Sequence, residues 1–188
     1  LLCCRQIIGA SLGQFAGNTT LVFFLTWFPT YLANERHLPW LHVGFFASWP
    51  FLAAAIGIFF GGWVSDKIIK KTNSVNISRK LPIISGLLLS SCIIIANWVD
   101  SNTAVIIIMS IAFFGQGMVG LGWTLISDIA PKNMGGLTGG IFNFCANMAS
   151  IITPLIIGVI ISMTGNFFYA LIYIGLTALV GVIAYVFI

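Results

Sequence analysis

The chain has 188 residues, of which 59% are hydrophobic and only 6% are charged, with Lys+Arg 8 and Asp+Glu 4. A soluble domain carries charge on about a quarter of its residues, so this composition cannot supply a water-facing surface and excludes a soluble fold. The net charge of +4 does not indicate nucleic-acid binding, because the cations are confined to short interruptions between apolar runs.

Uncharged runs long enough to cross a membrane occur six times along the sequence. The apolar core of a bilayer is about 30 Å thick and requires about 20 helical residues. We therefore predict an all-α membrane protein with six transmembrane helices at about 6–32, 41–65, 81–98, 103–127, 135–163 and 167–188. The last two helices are separated at Gly165-Asn166, a pair that predicts a turn. The longest interruption, 66–80, is predicted to be a cytoplasmic loop.

The cations are distributed unevenly between the two sides that alternating spans define. One side has Arg36 alone, whereas the other carries Arg5, Lys67, Lys70, Lys71, Arg79, Lys80 and Lys132. Because positively charged connections remain in the cytoplasm, the second side is predicted to be cytoplasmic. Both ends of the segment are then expected inside the cell, and the expected location is the cell (inner) membrane.

Two short motifs and the cysteines are interpreted as structural. Residues 115–120 match the dinucleotide pattern GxGxxG, but the required acidic residue does not follow, and small residues within a span favour helix packing. Ser11 lies in a GxSxG pattern, but His37 and His42 follow the far end of the first span, too distant for nucleophilic catalysis. The four cysteines lack metal-ligand spacing. The sequence therefore predicts no enzyme activity, metal site or cofactor.

Two acids, Asp66 and Asp128, lie at predicted cytoplasmic helix ends. An anion at a helix C-terminus is unfavourable, so each is expected to pair with a cation or a neighbouring helix N-terminus. The available partners are Lys67, Arg79, Lys132 and the start of the fifth span at Gly135. We predict that Asp66, Lys67, Arg79 and Asp128 form a conformational latch at the cytoplasmic side. A static structural ion pair is the alternative.

Polar side chains follow a helical spacing in three spans. They are Ser11, Gln14 and Asn18 in the first, Gln116, Gly120, Trp123 and Ser127 in the fourth, and Asn143, Asn147 and Ser150 in the fifth. Members of all three stripes share a predicted depth of roughly 8 to 12 Å from the cytoplasmic end. A shared depth is what a single binding pocket requires. For any one residue, interhelical hydrogen bonding is the alternative.

Several motifs resemble a known family. Residues 62–71, Gly-Trp-Val-Ser-Asp-Lys-Ile-Ile-Lys-Lys, resemble the loop signature of the major facilitator superfamily, with Ile69 where the family usually has Gly. Residues 24–32, 122–131 and 136–143 resemble the sugar-acid branch of its anion:cation symporter family, found in bacterial glucarate, galactarate and galactonate transporters. The resemblance implies that residues 1–188 form the C-terminal six-helix half of a twelve-helix fold. The absence of an initiator Met agrees with an excerpt of a longer protein.

The resemblance also implies a function and a site. In this branch, residues matching Gln14, Trp123 and Asn143 contact a hydroxylated acid, with amides bonding its hydroxyls and the indole covering its carbon face. Gly120 occupies a position where some relatives have Ser. Further candidates are Asn18, Gln116 and Asn147. The expected function is import of a sugar acid such as glucarate or galactarate with protons, by alternating access.

The predicted partners are the lipid bilayer, a small organic anion, a proton and a missing N-terminal six-helix half, without nucleic acid. No predicted span contains Asp, Glu, Lys or Arg. Proton coupling and carboxylate recognition need ionisable groups, which are therefore expected in the missing half. Two alternatives remain open: transport of another organic anion such as galactonate or a hexuronate, and a six-span channel or permease subunit if the chain is complete.

Overall fold

The computed structural model describes residues 5–131 and 133–188, so the predicted pairing of Lys132 lies outside the described residues. The helices are α1 (Arg5–Thr26), α2 (Phe28–Asn34), α3 (Trp40–Thr72), α4 (Val75–Ser91), a 3₁₀ segment (Cys92–Trp98), α5 (Asn102–Val119), α6 (Gly122–Ile129), α7 (Gly135–Thr164) and α8 (Phe168–Val186). Six stretches among the described residues are long and apolar enough to cross a membrane. The predicted all-α class and number of spans are confirmed.

Two of the spans are interrupted within the predicted helix. The first breaks at Trp27, because Pro29 lies in the first turn of α2 and cannot donate a backbone hydrogen bond. The fourth breaks between α5 and α6, where the amides of Gly120 and Leu121 bond carbonyls three residues earlier, at 3.2 and 3.3 Å. This tighter turn interrupts the regular α-helix between α5 and α6. Pro29 marks the first break in the sequence, whereas no proline marks the second.

The predicted cytoplasmic loop 66–80 is wrong in extent. The helix α3 continues to Thr72 and α4 begins at Val75, so Asn73 and Ser74 alone connect them. Residues 66–72 contain neither Gly nor Pro, and a helix does not have to end where the apolar run ends. Asn73 closes α3 in the left-handed conformation, with a φ of 50°, and Ser74 caps α4 through its side chain.

The helix α1 occupies the centre of the bundle. In its most apolar stretch 72% of the residues are buried, against 17% in α3 and 22% in α7. It packs against α7 and α8, while α5 packs against α3 and α4, and α4 closes the bundle against α8. The helix in the centre of the fold is therefore the one that carries the first polar stripe.

Glycines bring α5 close to two neighbours. A Cβ on Gly117 would lie 2.2 Å from the Ala54 carbonyl oxygen of α3, and a Cβ on Gly115 would lie 2.3 Å from the Gly86 carbonyl oxygen of α4. No side chain fits at such distances, so the helix backbones touch. This packing confirms the structural interpretation of the GxGxxG match at these two positions.

Arg36 ties together three segments at one end of the bundle. Its guanidinium donates to the carbonyl oxygens of Ala96 and Val99, at 2.8 and 2.7 Å, and to the Tyr31 hydroxyl at 3.0 Å. Those carbonyls close the 3₁₀ segment, where partial negative charge collects. The adjacent Glu35 carboxylate accepts from the Phe167 amide at 3.4 Å, at the start of α8. Arg36, the cation on the side opposite the predicted cytoplasmic side, thus has a structural role.

Candidate functional site

A polar cavity of about 320 Å³ lies among α1, α3, α5, α6 and α7. It is lined by Gln14, Asn18, Leu21, Ala54, Ile58, Phe113, Gln116, Gly117, Val119, Gly120, Trp123, Asn143, Ala146, Asn147 and Ser150. Its volume is within the range of small-molecule sites. The structure therefore brings all seven candidate binding residues, and Ser150 with them, to one cavity.

The first stripe contributes two amides with different surroundings. Asn18 donates from Nδ2 to the Ala146 carbonyl oxygen and, at 2.8 Å, to Ser150 Oγ, so it joins α1 to α7. The interhelical bond considered as its alternative is thus present. Gln14 is buried at 9% exposure, yet its Oε1 has no hydrogen bond to a described residue. Unlike Asn18, Gln14 thus makes no hydrogen bond between helices through its Oε1 among the described residues.

The second stripe reaches the cavity across the break between α5 and α6. Gln116 lies before the break, Gly120 within it and Trp123 after it. The Trp123 ring is 45% exposed and packs edge-on against Phe142, with ring centroids 5.0 Å apart. Trp123 is therefore only partly covered by described residues and lines the cavity.

The third stripe lies on the exposed face of α7. Asn147 donates from Nδ2 to the backbone oxygen and to Oδ1 of Asn143, both at 2.9 Å. Among the described residues, Nδ2 of Asn143 has no protein acceptor within hydrogen-bond distance. Asn147 thus holds the Asn143 amide through its Oδ1, and both side chains line the cavity.

Two members of the stripes are not brought to the cavity. Ser11 is buried at 3% exposure away from it, and Ser127 bonds the Trp123 carbonyl oxygen of its own helix at 2.9 Å. The sequence analysis also missed the apolar wall, which comes from Leu21, Ala54, Ile58 and Phe113. Ordinary apolar residues in a membrane span carry no signal that separates a cavity wall from a packed or lipid-facing position.

The cavity is polar without charge. No Asp, Glu, Lys, Arg or His is found among its described lining residues. Amides can donate and accept, so the site can bind neutral polar groups such as hydroxyls. Nothing in this lining neutralises an anionic group.

A larger cavity of about 730 Å³ lies between α3 and α5, but its chemistry is different. Its walls include Phe45, Trp49, Ile107 and Phe114. Ser110 also lines this cavity, but its hydroxyl already donates a hydrogen bond to the Ile106 carbonyl oxygen of the same helix, at 2.8 Å. It lacks converging polar groups, so it cannot orient a hydroxylated ligand.

The predicted latch contains one ion pair in the described structure. Arg79 Nε lies 3.2 Å from Asp128 Oδ2, and Arg79 Nη1 donates to Ser65 Oγ at 2.9 Å. Three elements meet there, namely α3, α4 and α6. Both Arg79 and Asp128 lie where the sequence analysis expected pairing.

The other two latch residues are not in an ion pair with any described residue. The side chain of Lys67 stacks on Trp63, with Nζ 3.7 Å from the ring centroid. Asp66 is exposed and lies six residues before the end of α3, so the unfavourable helix terminus assumed for it does not exist. In the described structure the latch therefore consists of the Arg79–Asp128 pair, and the prediction that Asp66 and Lys67 also form ion pairs there is wrong.

Six apolar spans, four of which line an uncharged polar cavity, define a multi-pass helical membrane protein with a site of ligand size. The sequence matches the Major Facilitator Superfamily over residues 1–154, and the chain belongs to this family. The resemblance inferred from the motifs is confirmed.

Curated relatives match nearly the whole chain. The probable galactarate/D-glucarate transporter GudP of Bacillus subtilis (strain 168) is 46% identical over 185 residues, which are 98% of this chain and 41% of that protein. The D-galactonate transporter of Escherichia coli O6:H1 is 44% identical over 182 residues, 97% of this chain and 42% of that protein. The chain thus spans about two fifths of the length of these relatives.

A solved structure supports the fold. A peptide transporter POT mutant in complex with alafosfalin aligns with a TM-score of 0.79, covering 96% of this chain and 37% of that chain. The two are 16% identical, so the likeness shows the architecture alone.

Asn18 of α1 makes hydrogen bonds to another helix, whereas Asn147 of α7 makes them within its own helix, and this difference leads to a stability prediction. Replacement of Asn18 by Ala removes both bonds between α1 and α7, and we expect a loss of about 1 kcal/mol of unfolding free energy. Asn147→Ala is the matched control, because it removes bonds within one exposed helix turn and is expected to cost less than about 0.5 kcal/mol. Reversible unfolding in mixed micelles measures both values. Equal losses would contradict the interhelical role of Asn18.

Proposed function

We propose that this chain is the C-terminal six-helix half of a secondary transporter that imports glucarate or galactarate with protons by alternating access. The observation that carries the proposal is the single cavity that collects Gln14, Trp123 and Asn143. The names of the relatives, both sugar-acid transporters, supply the substrate class. The share of the relatives that the chain spans, 41% to 42%, supports a half of a longer protein.

The cavity suits the hydroxylated middle of a sugar acid. The amides of Gln14 and Asn143 can both donate to and accept from hydroxyls. The exposed Trp123 ring offers an apolar face to the C–H surface of the carbon chain. No covalent step is required, because binding and release on opposite sides of the membrane accomplish transport.

The carboxylate groups of the substrate need a cation that this lining does not contain. We assign that cation, and the proton-carrying groups, to the missing N-terminal half. The exposure of α3 and α7 supports the assignment, since these helices bury 17% and 22% of their most apolar stretches and flank the cavity. In that arrangement the substrate lies between two halves that rock about it.

The Arg79–Asp128 pair is assigned to the cytoplasmic side of the cell (inner) membrane, following the distribution of cations. It holds α6 against α4, and α6 follows the break at Gly120. Movement of α6 about this break would separate the pair and open the cytoplasmic side. The pair is partly exposed, at 18% and 35%, and a surface pair of this kind contributes little to static stability. A latch is therefore a better explanation than a structural brace.

Galactonate is the second candidate substrate, because the relative named a D-galactonate transporter is 44% identical. The two classes of sugar acid differ in the group at one chain end, a carboxylate or a hydroxymethyl. Competition of unlabelled galactonate, glucuronate and galactarate against labelled galactarate ranks the candidates. Stronger inhibition by galactonate than by galactarate would reverse the assignment.

Removal of either amide tests the site. In the full-length protein that contains this chain, we expect Gln14→Ala and Asn143→Ala each to raise KM for galactarate uptake about fivefold, the effect of losing one neutral hydrogen bond. Ser162→Ala is the matched control, because Ser162 lies on α7 outside the cavity lining. Uptake is normalised to the amount of protein in the membrane. Unchanged KM in both amide variants would exclude them from the site.

Neutralisation of the ion pair tests the latch. We expect Asp128→Asn to lower the maximal uptake rate with little change in KM, because the pair biases a conformational step and does not touch substrate. Exchange of the two charges, Arg79→Asp with Asp128→Arg, is expected to restore part of the rate. A static brace would instead lower the unfolding temperature and leave the rate per folded molecule unchanged.

A further inference from the structure

Gly122, the first residue of α6, lies directly behind the Gln14 amide. A Cβ at this position would be 2.7 Å from Gln14 Oε1 and 3.1 Å from Tyr185 Oη. The first distance is shorter than a van der Waals contact, so any larger residue must displace the Gln14 amide. Gly122 is buried but does not itself line the cavity.

A second helix outside the cavity completes this packing. Tyr185 of α8 is fully buried, and its ring lies where a side chain on Gly13 would be, 2.1 Å from the position of a Cβ there. Its hydroxyl donates to the Ala10 carbonyl oxygen at 3.4 Å. Tyr185 therefore packs against Gly13, the residue before Gln14, and its hydroxyl lies 3.1 Å from the Cβ position of Gly122.

The Gln14 amide is held by this packing and not by hydrogen bonds. Its Oε1 is buried and has no hydrogen bond to a described residue. The position of the amide consequently depends on the space available at Gly122.

We propose that Gly122 is a positioning residue that sets the place of the Gln14 amide in the cavity and thereby the affinity for the hydroxylated substrate. The inference rests on the proposed function, since Gln14 is the proposed contact to substrate. The added methyl of Gly122→Ala would meet the flexible end of a side chain at its shortest contact, not backbone. The helix can therefore accept the substitution while the Gln14 amide moves.

A double-mutant cycle tests the proposal in the full-length protein, with KM for galactarate uptake as the measured quantity. Gly122→Ala and Gln14→Ala are each expected to raise KM about three- to tenfold, the range for one neutral hydrogen bond. The double variant is expected to match Gln14→Ala alone, because Gln14 Oε1 is the nearest atom to the added methyl, whereas Tyr185 Oη and Phe142 Cζ lie farther away, at 3.1 and 3.3 Å. Gly62→Ala in α3, where an added Cβ meets nothing within 4 Å, is the control and should keep the wild-type KM.

The outcomes separate this inference from the function on which it rests. Multiplicative effects in the double variant, or an unchanged KM for Gly122→Ala in a protein that imports galactarate, would overturn the positioning role alone. Absence of galactarate uptake by the wild-type protein would overturn the proposed function. If Gly122→Ala does not reach the membrane, the amount of the double variant in the membrane decides. A double variant that reaches the membrane supports a clash between the added methyl and Gln14. A double variant that does not reach it assigns Gly122 a purely structural role.

Discussion

Hydrocarbon offers no hydrogen-bond partner, and this constraint governs the placement of every polar side chain within the spans. Some are satisfied by neighbouring helices: Ser90 donates to the Ala112 carbonyl oxygen at 2.9 Å, and Asn18 joins α1 to α7. Amides left without such partners, among them Gln14, Gln116 and Asn143, collect around one cavity. Polar groups that a membrane protein does not use for its own cohesion are those it can offer to a ligand.

The packing of the backbone makes this collection possible. Glycine contacts bring α5 against α3 and α4, and the break that follows lets α6 carry Trp123 to the cavity wall. The central α1 contacts the helices on either side and supplies Gln14. At the Arg36 end, hydrogen bonds to the 3₁₀ segment join separate spans, and at the other end the Arg79–Asp128 pair does so. The two ends are thus joined differently, by bonds to backbone and by an exposed ion pair.

The sequence was sufficient to predict the six spans and the polar residues of the cavity, because hydropathy and helical spacing report directly on a lipid environment. It did not predict the ends of α3 and α4, since a helix can continue beyond the apolar run into water, nor the break at Gly120, where no proline marks it. Asp66 was mispaired for the same reason, because its helix end was misplaced. The wall residues Ala54 and Ile58 could not be identified, since their side chains resemble those that face lipid.

We propose that the uncharged cavity of this chain binds the hydroxylated part of a sugar acid. A structure of the full-length protein with bound galactarate tests it most directly. The account predicts substrate hydroxyls within hydrogen-bond distance of Gln14 and Asn143 and the carbon chain against Trp123, with the carboxylates held by residues outside this chain. Galactarate bound away from these three side chains, or a carboxylate neutralised by Arg36 or Arg79, would contradict it.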